Sequence, residues 1–242
     1  MKTALDTAKI NEYYNTLLEL AEKYREIAQR FMQEQEIEHD YMNPFHTHEL
    51  DNLIGEVKNR LIEFITDRYK KTYFPNVTVD MHELRNNFRN KRFNADEVAA
   101  FLSEKYITHA EKLSYAEILR NAQTLLPVFF NREKSNPEIS DIVKKDTLVL
   151  RKYVSSYGAG SYYLYDLNAF SAIEKLIKIV LNNENPGNVT ADKLLSVYWN
   201  KRDSELFLTY AIDDRNIKAV RLYRNGKLRI KLKSKEAAEK VL

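Results

Sequence analysis

The amino-acid sequence predicts an α+β protein in two parts, and three observations lead to that prediction. Over most of the first 70 residues, apolar side chains recur at spacings of three and four, which is typical of amphipathic helices. From about residue 136, short stretches typical of strands appear. Near the C-terminus, Asn225-Gly226 lies between alternating apolar and basic residues and indicates a β-hairpin. We therefore expect a mainly helical region over residues 1–135 and an α+β region with a small antiparallel sheet over residues 136–242.

The composition is that of a soluble globular protein. Of the 242 residues, 44% are hydrophobic and 30% are charged, which separates the chain from disordered sequences. The apolar runs are too short to cross a bilayer, and the first 20 residues lack the pattern of a secretory signal. We therefore expect a cytoplasmic protein, in a bacterium or in a host cell. The absence of cysteine excludes disulfides and thiolate metal sites.

Two long helices are predicted in the N-terminal region. The first carries a row of apolar residues with the a/d spacing of a coiled coil: Ile10, Tyr13, Leu17, Leu20, Tyr24, Ile27 and Phe31. The second runs from about Glu49 to Tyr69, and we expect the two to pair as an antiparallel hairpin with these rows in its core. The alternative is that the rows join two copies of the chain, which would make a homodimer through the N-terminal helices.

Local signals fix several smaller elements. Asp80 is expected to cap a helix, and Asn94 and Ser114 each precede a Glu by three residues, which is the pattern of a capping box. Residues 76–80 and 206–212 are predicted to be strands.

The positive charge of the chain is concentrated at its end. Residues 215–242 contain ten Lys or Arg and two Glu, a net charge of +8, whereas the other 214 residues carry a net −5. Such an asymmetry indicates a partner with negative charge.

The register of the predicted hairpin decides what that charge means. A two-residue turn would mix apolar and basic residues on each face, whereas a three-residue loop ending at Gly226 places Leu222 opposite Leu228 and separates the faces cleanly. We therefore expect the three-residue loop, which sets Arg221 directly opposite Arg229. Like charges in that position are destabilising unless water or an anion screens them.

The basic face of this hairpin is the predicted binding site. A solvated edge that resists aggregation would also explain it. If the face binds nucleic acid, its cations contact phosphates and its tyrosine stacks on bases. The predicted nucleic-acid-binding residues are Arg221, Tyr223, Arg224, Lys227, Arg229 and Lys231.

The segments "YLYDLNAFSAIEKLIKIV" (163–180) and "VRLYRNGKLRIKL" (220–232) resemble the C-terminal part of an uncharacterised bacterial and phage domain family. Members of that family are often fused to, or encoded beside, N6-adenine DNA methyltransferases on mobile elements. They close with the pattern Asn-Gly-x-apolar-His-apolar-Lys-Phe, which is matched here by Asn225, Gly226, Leu228, Ile230 and Lys231. Arg229 replaces the histidine and Leu232 the phenylalanine. The resemblance covers roughly residues 140–235 and implies a link to DNA modification or defence; the loss of the histidine removes any base that it supplied.

Other chemistries find little support in the sequence. Only five glycines occur and none forms a phosphate-binding loop, which argues against nucleotide cofactors. The chain lacks the Asn/Asp-Pro-Pro-aromatic motif of an adenine methyltransferase and the clustered carboxylates of a metal-dependent nuclease. A polar loop with His39, Asp40, His46 and His48 could hold a metal, but surface loops are commonly polar, so we expect no metal and no cofactor.

The sequence thus favours a non-catalytic, nucleic-acid-associated accessory protein linked to DNA modification or defence on a mobile element, with DNA or RNA as partner and no membrane contact. Two alternatives stay open. One is an inhibitor or adaptor in phage–host conflict that binds an acidic protein surface. The other is a structural mobile-element protein assembled through its helical hairpin.

Overall fold

The α+β class is confirmed by a computed structural model, which describes residues 5–36, 45–126, 138–152, 154–157, 161–164 and 167–241. The chain divides into two compact units, Met1–His109 and Ala110–Leu242. Among the helices in the described ranges, none combines the length and the apolar character that crossing a bilayer demands.

The described helices are α1 (Thr7–Glu34), α2 (Thr47–Tyr73), α3 (Met81–Phe88), α4 (Ala95–Leu102), α5 (Ala110–Gln123), α6 (Ile139–Ile142), α7 (Asn168–Asn182), α8 (Lys193–Tyr198) and α9 (Lys235–Lys240). A π-helical turn (Ser103–Ile107) follows α4, and a 3₁₀ turn (Asp203–Phe207) follows α8. The described strands are β1 (Val143–Lys144), β2 (Thr147–Arg151), β3 (Ser155–Tyr157), β4 (Ser161–Tyr163), β5 (Thr209–Ala211), β6 (Ile217–Leu222) and β7 (Lys227–Leu232).

Helices α1 and α2 form an antiparallel hairpin in the N-terminal unit. The end of α1 packs against the start of α2. The Phe45 ring, just before α2, lies edge-on to the rings of Tyr24 and Phe31 of α1, with centroid distances of 5.5 and 5.4 Å. Arg25 forms an ion pair with Asp51 one turn further along. Helix α4 packs on both helices.

The face of α1 that enters the core differs from the predicted one. The buried residues are Tyr14, Ala21 and Ala28, a row displaced by one position from the predicted a/d row. Two of the three are alanines, whose small side chains let helices approach closely. The larger residues of the predicted row, such as Leu20, are left outside. The expectation that the whole a/d row forms the core of the hairpin is therefore wrong.

The local signals have mixed outcomes. Asp80 and Asn94 cap α3 and α4 by accepting hydrogen bonds from backbone N–H groups, as predicted. Ser114 does not open a helix: it is buried inside α5, which begins four residues earlier, so that its N–H lies beyond the first turn. Residues 76–80 form no strand.

The C-terminal unit is built on an antiparallel sheet with the order β1-β2-β7-β6-β5. Strands β3 and β4 pair separately as a small hairpin. The inner face of the large sheet shares one apolar core with α5, α7, α8 and α9. Helix α5 packs against α7, so the structure groups it with this unit, although the sequence placed the boundary near residue 135.

The edge of this sheet is shorter than predicted. The predicted strand 206–212 begins as the 3₁₀ turn, and only Thr209–Ala211 pairs with β6. Leu206 is buried within the turn, whereas Leu208 is exposed. The alternation of apolar residues therefore reflects a turn followed by a short strand.

A buried ion pair ties α7 to α8 in the core of this unit. The Glu174 side chain is fully buried; its Oε1 lies 2.9 Å from Lys178 Nζ and its Oε2 accepts a 2.8 Å hydrogen bond from the Leu194 N–H. Desolvation lowers the pKa of Lys178, but the hydrogen bond and the charge of Glu174 outweigh it, so the pKa is raised above its ordinary value. The carboxylate thus satisfies the first turn of α8 and the lysine together.

We expect Glu174→Ala to lower the free energy of unfolding of this unit by about 3 kcal/mol. The Leu194 N–H loses its acceptor, and Lys178 loses its counter-charge and keeps only a 2.9 Å hydrogen bond to the Thr190 carbonyl. Trp199 is the single tryptophan of the sequence and lies in this unit, so its fluorescence during urea unfolding measures the change. The control Glu239→Ala removes an exposed i,i+4 partner of Lys235 and should cost about 0.5 kcal/mol or less. Equal losses in the two variants would contradict the assignment.

Candidate nucleic-acid interface

The register of β6 and β7 is the one that the three-residue loop predicts. Leu222 lies opposite Leu228. The loop is closed by a 2.8 Å hydrogen bond from the Tyr223 N–H to the Lys227 carbonyl and by another of 2.8 Å from the Gly226 N–H to the Tyr223 carbonyl. Gly226 has a φ of +75°, in the left-handed region where glycine is free of strain. The hairpin therefore keeps one apolar face and one basic face.

The inner side of the β6–β7 hairpin is apolar and packs in the core of the C-terminal unit. From Val220 onward, every second residue of the two strands points inward and is almost wholly buried: Val220, Leu222, Leu228, Ile230 and Leu232. Before it, a register shift between Ile217 and Ala219 interrupts the alternation. Strand β7 is paired on both sides, by β6 and by β2, so its backbone is fixed along its whole length. The residues between the buried ones must therefore project from the opposite face of the sheet.

Arg221 and Arg229 are direct neighbours across the two strands on that outer face, and both are exposed. Their guanidinium carbons lie 4.7 and 5.2 Å from the centre of the Tyr223 ring, and Arg229 Nη1 lies 3.3 Å from the Tyr223 hydroxyl. We call these three residues the arginine–tyrosine cluster. Within the part of the chain that the structure describes, no carboxylate forms an ion pair with either arginine.

The tyrosine ring therefore positions the arginines. A cation over an aromatic face is attracted by the ring quadrupole, by about 0.5–1 kcal/mol at an exposed site. Two such contacts offset part of the repulsion between Arg221 and Arg229, and they restrict the rotamers of two long side chains. The sequence-based expectation that Tyr223 stacks directly on bases is less suited to this geometry, because arginines already contact its ring.

The other predicted residues fall into two groups. Lys227 and Lys231 lie on the same outer face as Arg229, Lys227 half-buried and Lys231 exposed, with Lys231 Nζ 3.8 Å from Asp146 Oδ2. Arg224 leaves this face at the turn: its guanidinium lies 5.7 and 5.6 Å from the ring centres of Tyr162 and Phe207.

One cation of the outer face was not predicted. Arg151 of β2 is exposed and lies opposite Lys227, so it extends the row of positive charge across a third strand. The sequence contains no signal for this, because the pairing of β2 with β7 joins residues about 80 positions apart. We call the outer-face cations Arg151, Arg221, Lys227, Arg229 and Lys231 the basic face.

An aromatic cleft of about 560 Å³ lies in the same unit. Its lining residues include Tyr162, Tyr163, the exposed Trp199 and Arg202. The Asp203 carboxylate accepts a 2.9 Å hydrogen bond from the Tyr162 N–H and joins β4 to the 3₁₀ turn. Tyr153 and Tyr165, which are near Tyr162 and Tyr163 in the sequence, lie outside the described residues.

The histidine-rich loop is only partly described. His46 and His48 are exposed, whereas His39 and Asp40 lie outside the described residues. Across the ranges given above, no three His, Asp or Glu side chains come together as metal ligands would.

Comparison with known proteins gives no relative on which to base a function. No family model, curated protein or solved structure matches the chain. The resemblance of residues 163–180 and 220–232 to a mobile-element domain family therefore stays a prediction. What the chain does must be argued from the geometry of the basic face.

We expect Gly226→Ala to lower the free energy of unfolding by about 1–2 kcal/mol. An alanine there is strained at positive φ, and its Cβ would lie 3.0 Å from the Lys152 carbonyl oxygen. Thermal unfolding followed by Trp199 fluorescence measures the loss. Gly55→Ala is the control, followed by far-UV circular dichroism because Gly55 lies in the helical N-terminal unit. The Cβ of an alanine there meets nothing within 4 Å inside α2, so it should stabilise by about 0.5–1 kcal/mol. A neutral Gly226→Ala would show that the left-handed loop is not needed.

Proposed function

We propose that this chain binds nucleic acid through the basic face, as an accessory protein without catalytic activity of its own. The observation that carries the proposal is the placement of Arg221 opposite Arg229 on a rigid pair of strands, both on the Tyr223 ring and neither paired with a carboxylate in the described ranges. Directly opposed like charges cost free energy in the isolated protein. A bound phosphate would convert this repulsion into two favourable charge-assisted contacts.

The extent of the face favours a polyanion over a single anion. Lys227, Arg229 and Lys231 follow one another on β7 with a spacing of about 6.8 Å, which is two strand residues. Arg221 and Arg151 widen the row on the neighbouring strands. A nucleic-acid backbone supplies successive phosphates along such a row, and each neutralised phosphate releases condensed counterions.

The link to DNA modification or defence on a mobile element rests on the resemblance alone. Arg229 stands where that family has histidine, so a role in binding is compatible with the replacement, whereas a role as a base is not. An acidic protein surface is the rival partner. It would be held by the same cations but would not produce the steep salt dependence of counterion release.

The test is fluorescence-anisotropy titration of labelled duplex and single-stranded DNA and RNA at several salt concentrations. We expect Arg221→Gln/Arg229→Gln/Lys231→Gln to reduce the slope of log K against log[salt] on duplex DNA by about three. The control Lys112→Gln/Arg120→Gln/Lys193→Gln removes the same charge from exposed helical positions of the same unit and should leave the slope unchanged. Single strands are included because bases can stack in the aromatic cleft.

Three results are informative. A loss confined to the basic-face variant supports the proposal. Equal losses in both variants would mean that net charge alone attracts the nucleic acid. If the wild type ignores every probe at low salt, the proposal is wrong, and a search for an acidic protein partner follows.

Tyr223 gives a second test, which separates positioning from charge. Tyr223→Phe keeps the ring under both guanidinium groups and should preserve affinity within about two-fold. Tyr223→Leu removes the ring and, by releasing two cation–π contacts, should weaken binding about five-fold, equivalent to about 1 kcal/mol. The same titration measures both. Identical affinities for the two variants would show that the ring plays no part in holding the arginines.

A further inference from the structure

Helix α1 carries an exposed apolar row beside its buried one. Tyr13, Leu20 and Ile27 repeat at intervals of seven, and 64%, 59% and 55% of their surfaces are exposed. Each lies one position before a residue of the buried row. Three large apolar residues in one line are unusual on a helix that already buries another face.

Helix α2 has a matching row. Leu53 and Phe64 are 50% and 44% exposed, and Leu61 between them is half-buried. Phe64 lies one position before the buried Ile65, and Leu61 one position before the buried Ile62. On both helices, therefore, the exposed row lies one residue before the buried row in sequence.

Equal offsets place both rows on one side of the hairpin. One residue step is a rotation of about 100° about the helix axis. Because α1 and α2 run in opposite directions and each turns its buried row into the core that both share with α4, the same step rotates the two exposed rows in opposite senses, so that both reach the same side. We call Tyr13, Leu20, Ile27, Leu53 and Phe64 the apolar face.

The apolar face is large enough to hold a partner. Its five side chains together expose about 500 Å² of mainly apolar surface, toward the upper end of the patches found on monomers. Helix α1 has 28 residues and is about 42 Å long. Two such helices side by side offer about 800 Å², which is the area that one partner buries in a standard interface.

Charged residues border this face with opposite sign on its two edges. Lys9, Lys23 and Arg30 follow the outer side of the row on α1, and Glu49, Glu56 and Asp67 follow the outer side of the row on α2. Two cations also lie on that second edge: Arg60, which pairs with Glu56, and the exposed Lys71, seven residues after Phe64. In the described ranges, Lys9, Lys23 and Asp67 have no ion pair.

We propose that the occupant of the apolar face is the apolar face of a second copy of this chain, in a four-helix bundle with a two-fold axis parallel to the helices. That axis lays α1 of each copy on α2 of the other, so each basic edge meets an acidic edge. A two-fold axis across the helices would lay α1 on α1 and oppose the basic edges. The self-complementary arrangement is what a two-fold interface requires.

The positions of the charged residues along the helix axes agree with this arrangement; residues at the same height along the axes are called level. The Arg25–Asp51 ion pair fixes which residues of α1 and α2 are level. Sixteen residues before Arg25 is Lys9, and sixteen after Asp51 is Asp67, so these two are level. A two-fold axis parallel to the helices preserves level, so Lys9 meets Asp67 of the second copy.

Light scattering after size exclusion tests the dimer. We expect the full chain to have about twice its mass of 28.6 kDa across the micromolar range, and Leu20→Glu/Ile27→Glu to have the single-chain mass. Leu208→Glu is the control: Leu208 is 55% exposed in the C-terminal unit and should leave the dimer intact. The basic-face variant should also stay dimeric, because the two proposals rest on different surfaces. A wild-type mass of 28.6 kDa would overturn the inference.

Cysteine cross-linking tests the geometry, since the chain has no cysteine of its own. Lys9→Cys mixed with Asp67→Cys should form a disulfide-linked dimer on mild oxidation, whereas neither variant alone should do so efficiently. A link between two Lys9→Cys chains would contradict the axis. If the wild type is monomeric and Leu20→Glu/Ile27→Glu lowers the melting temperature far more than Leu208→Glu does, these side chains stabilise the single chain, and the inference is wrong.

Discussion

The pairing of β6 with β7 is the constraint on which the C-terminal unit depends. Gly226 lets the loop turn with a left-handed residue, and the loop length then sets Leu222 against Leu228. A slip by one residue would exchange the faces and place basic side chains in the core. Because burial of the inner row is worth far more than the repulsion between two exposed guanidinium groups, the register that fills the core also forces Arg221 and Arg229 together.

Under the proposed function, the two faces of the sheet have different roles, one in stability and one in binding. Its inner side shares a core with α7, whose Glu174 pairs with Lys178 and accepts a hydrogen bond from the Leu194 N–H at the start of α8. This packing restricts the movement of the strands. The outer side inherits that rigidity without contributing to the core. Cations on a central, doubly paired strand are preorganised for a ligand, since little conformational entropy is lost when it binds. The Tyr223 ring extends the same restriction to the ends of two arginine side chains.

The hairpin of α1 and α2 also has faces in different environments, but they repeat with the period of a helix and not with that of a strand. Helix α1 places two alanines in its buried row and large apolar residues in the adjacent, exposed row. The two rows differ by one residue, or about 100° of rotation. One helix can therefore bury one face in its own fold and leave another exposed, which is the face that we propose joins a second copy of the chain.

The sequence alone determined what depends on neighbouring residues. The Asp80 and Asn94 caps, the existence of both long helices and the hairpin register all follow from side chains that act within a few positions of one another. Most of the basic face could be identified in this way, because alternation along a strand assigns each residue to a side. The family suggested by the hairpin motif remains a prediction.

Only the tertiary structure decided which candidate surfaces are buried and which strands meet. Ser114 has the pattern of a cap but lies inside α5, and Tyr13, Leu20 and Ile27 belong to an a/d row with the pattern of a core but are exposed. Arg151 joins the basic face through a pairing between β2 and β7 that no local pattern encodes. The physical reason is the same in each case: a residue's spacing fixes its direction on its own helix or strand, but whether that direction meets protein or water is set by elements distant in the chain.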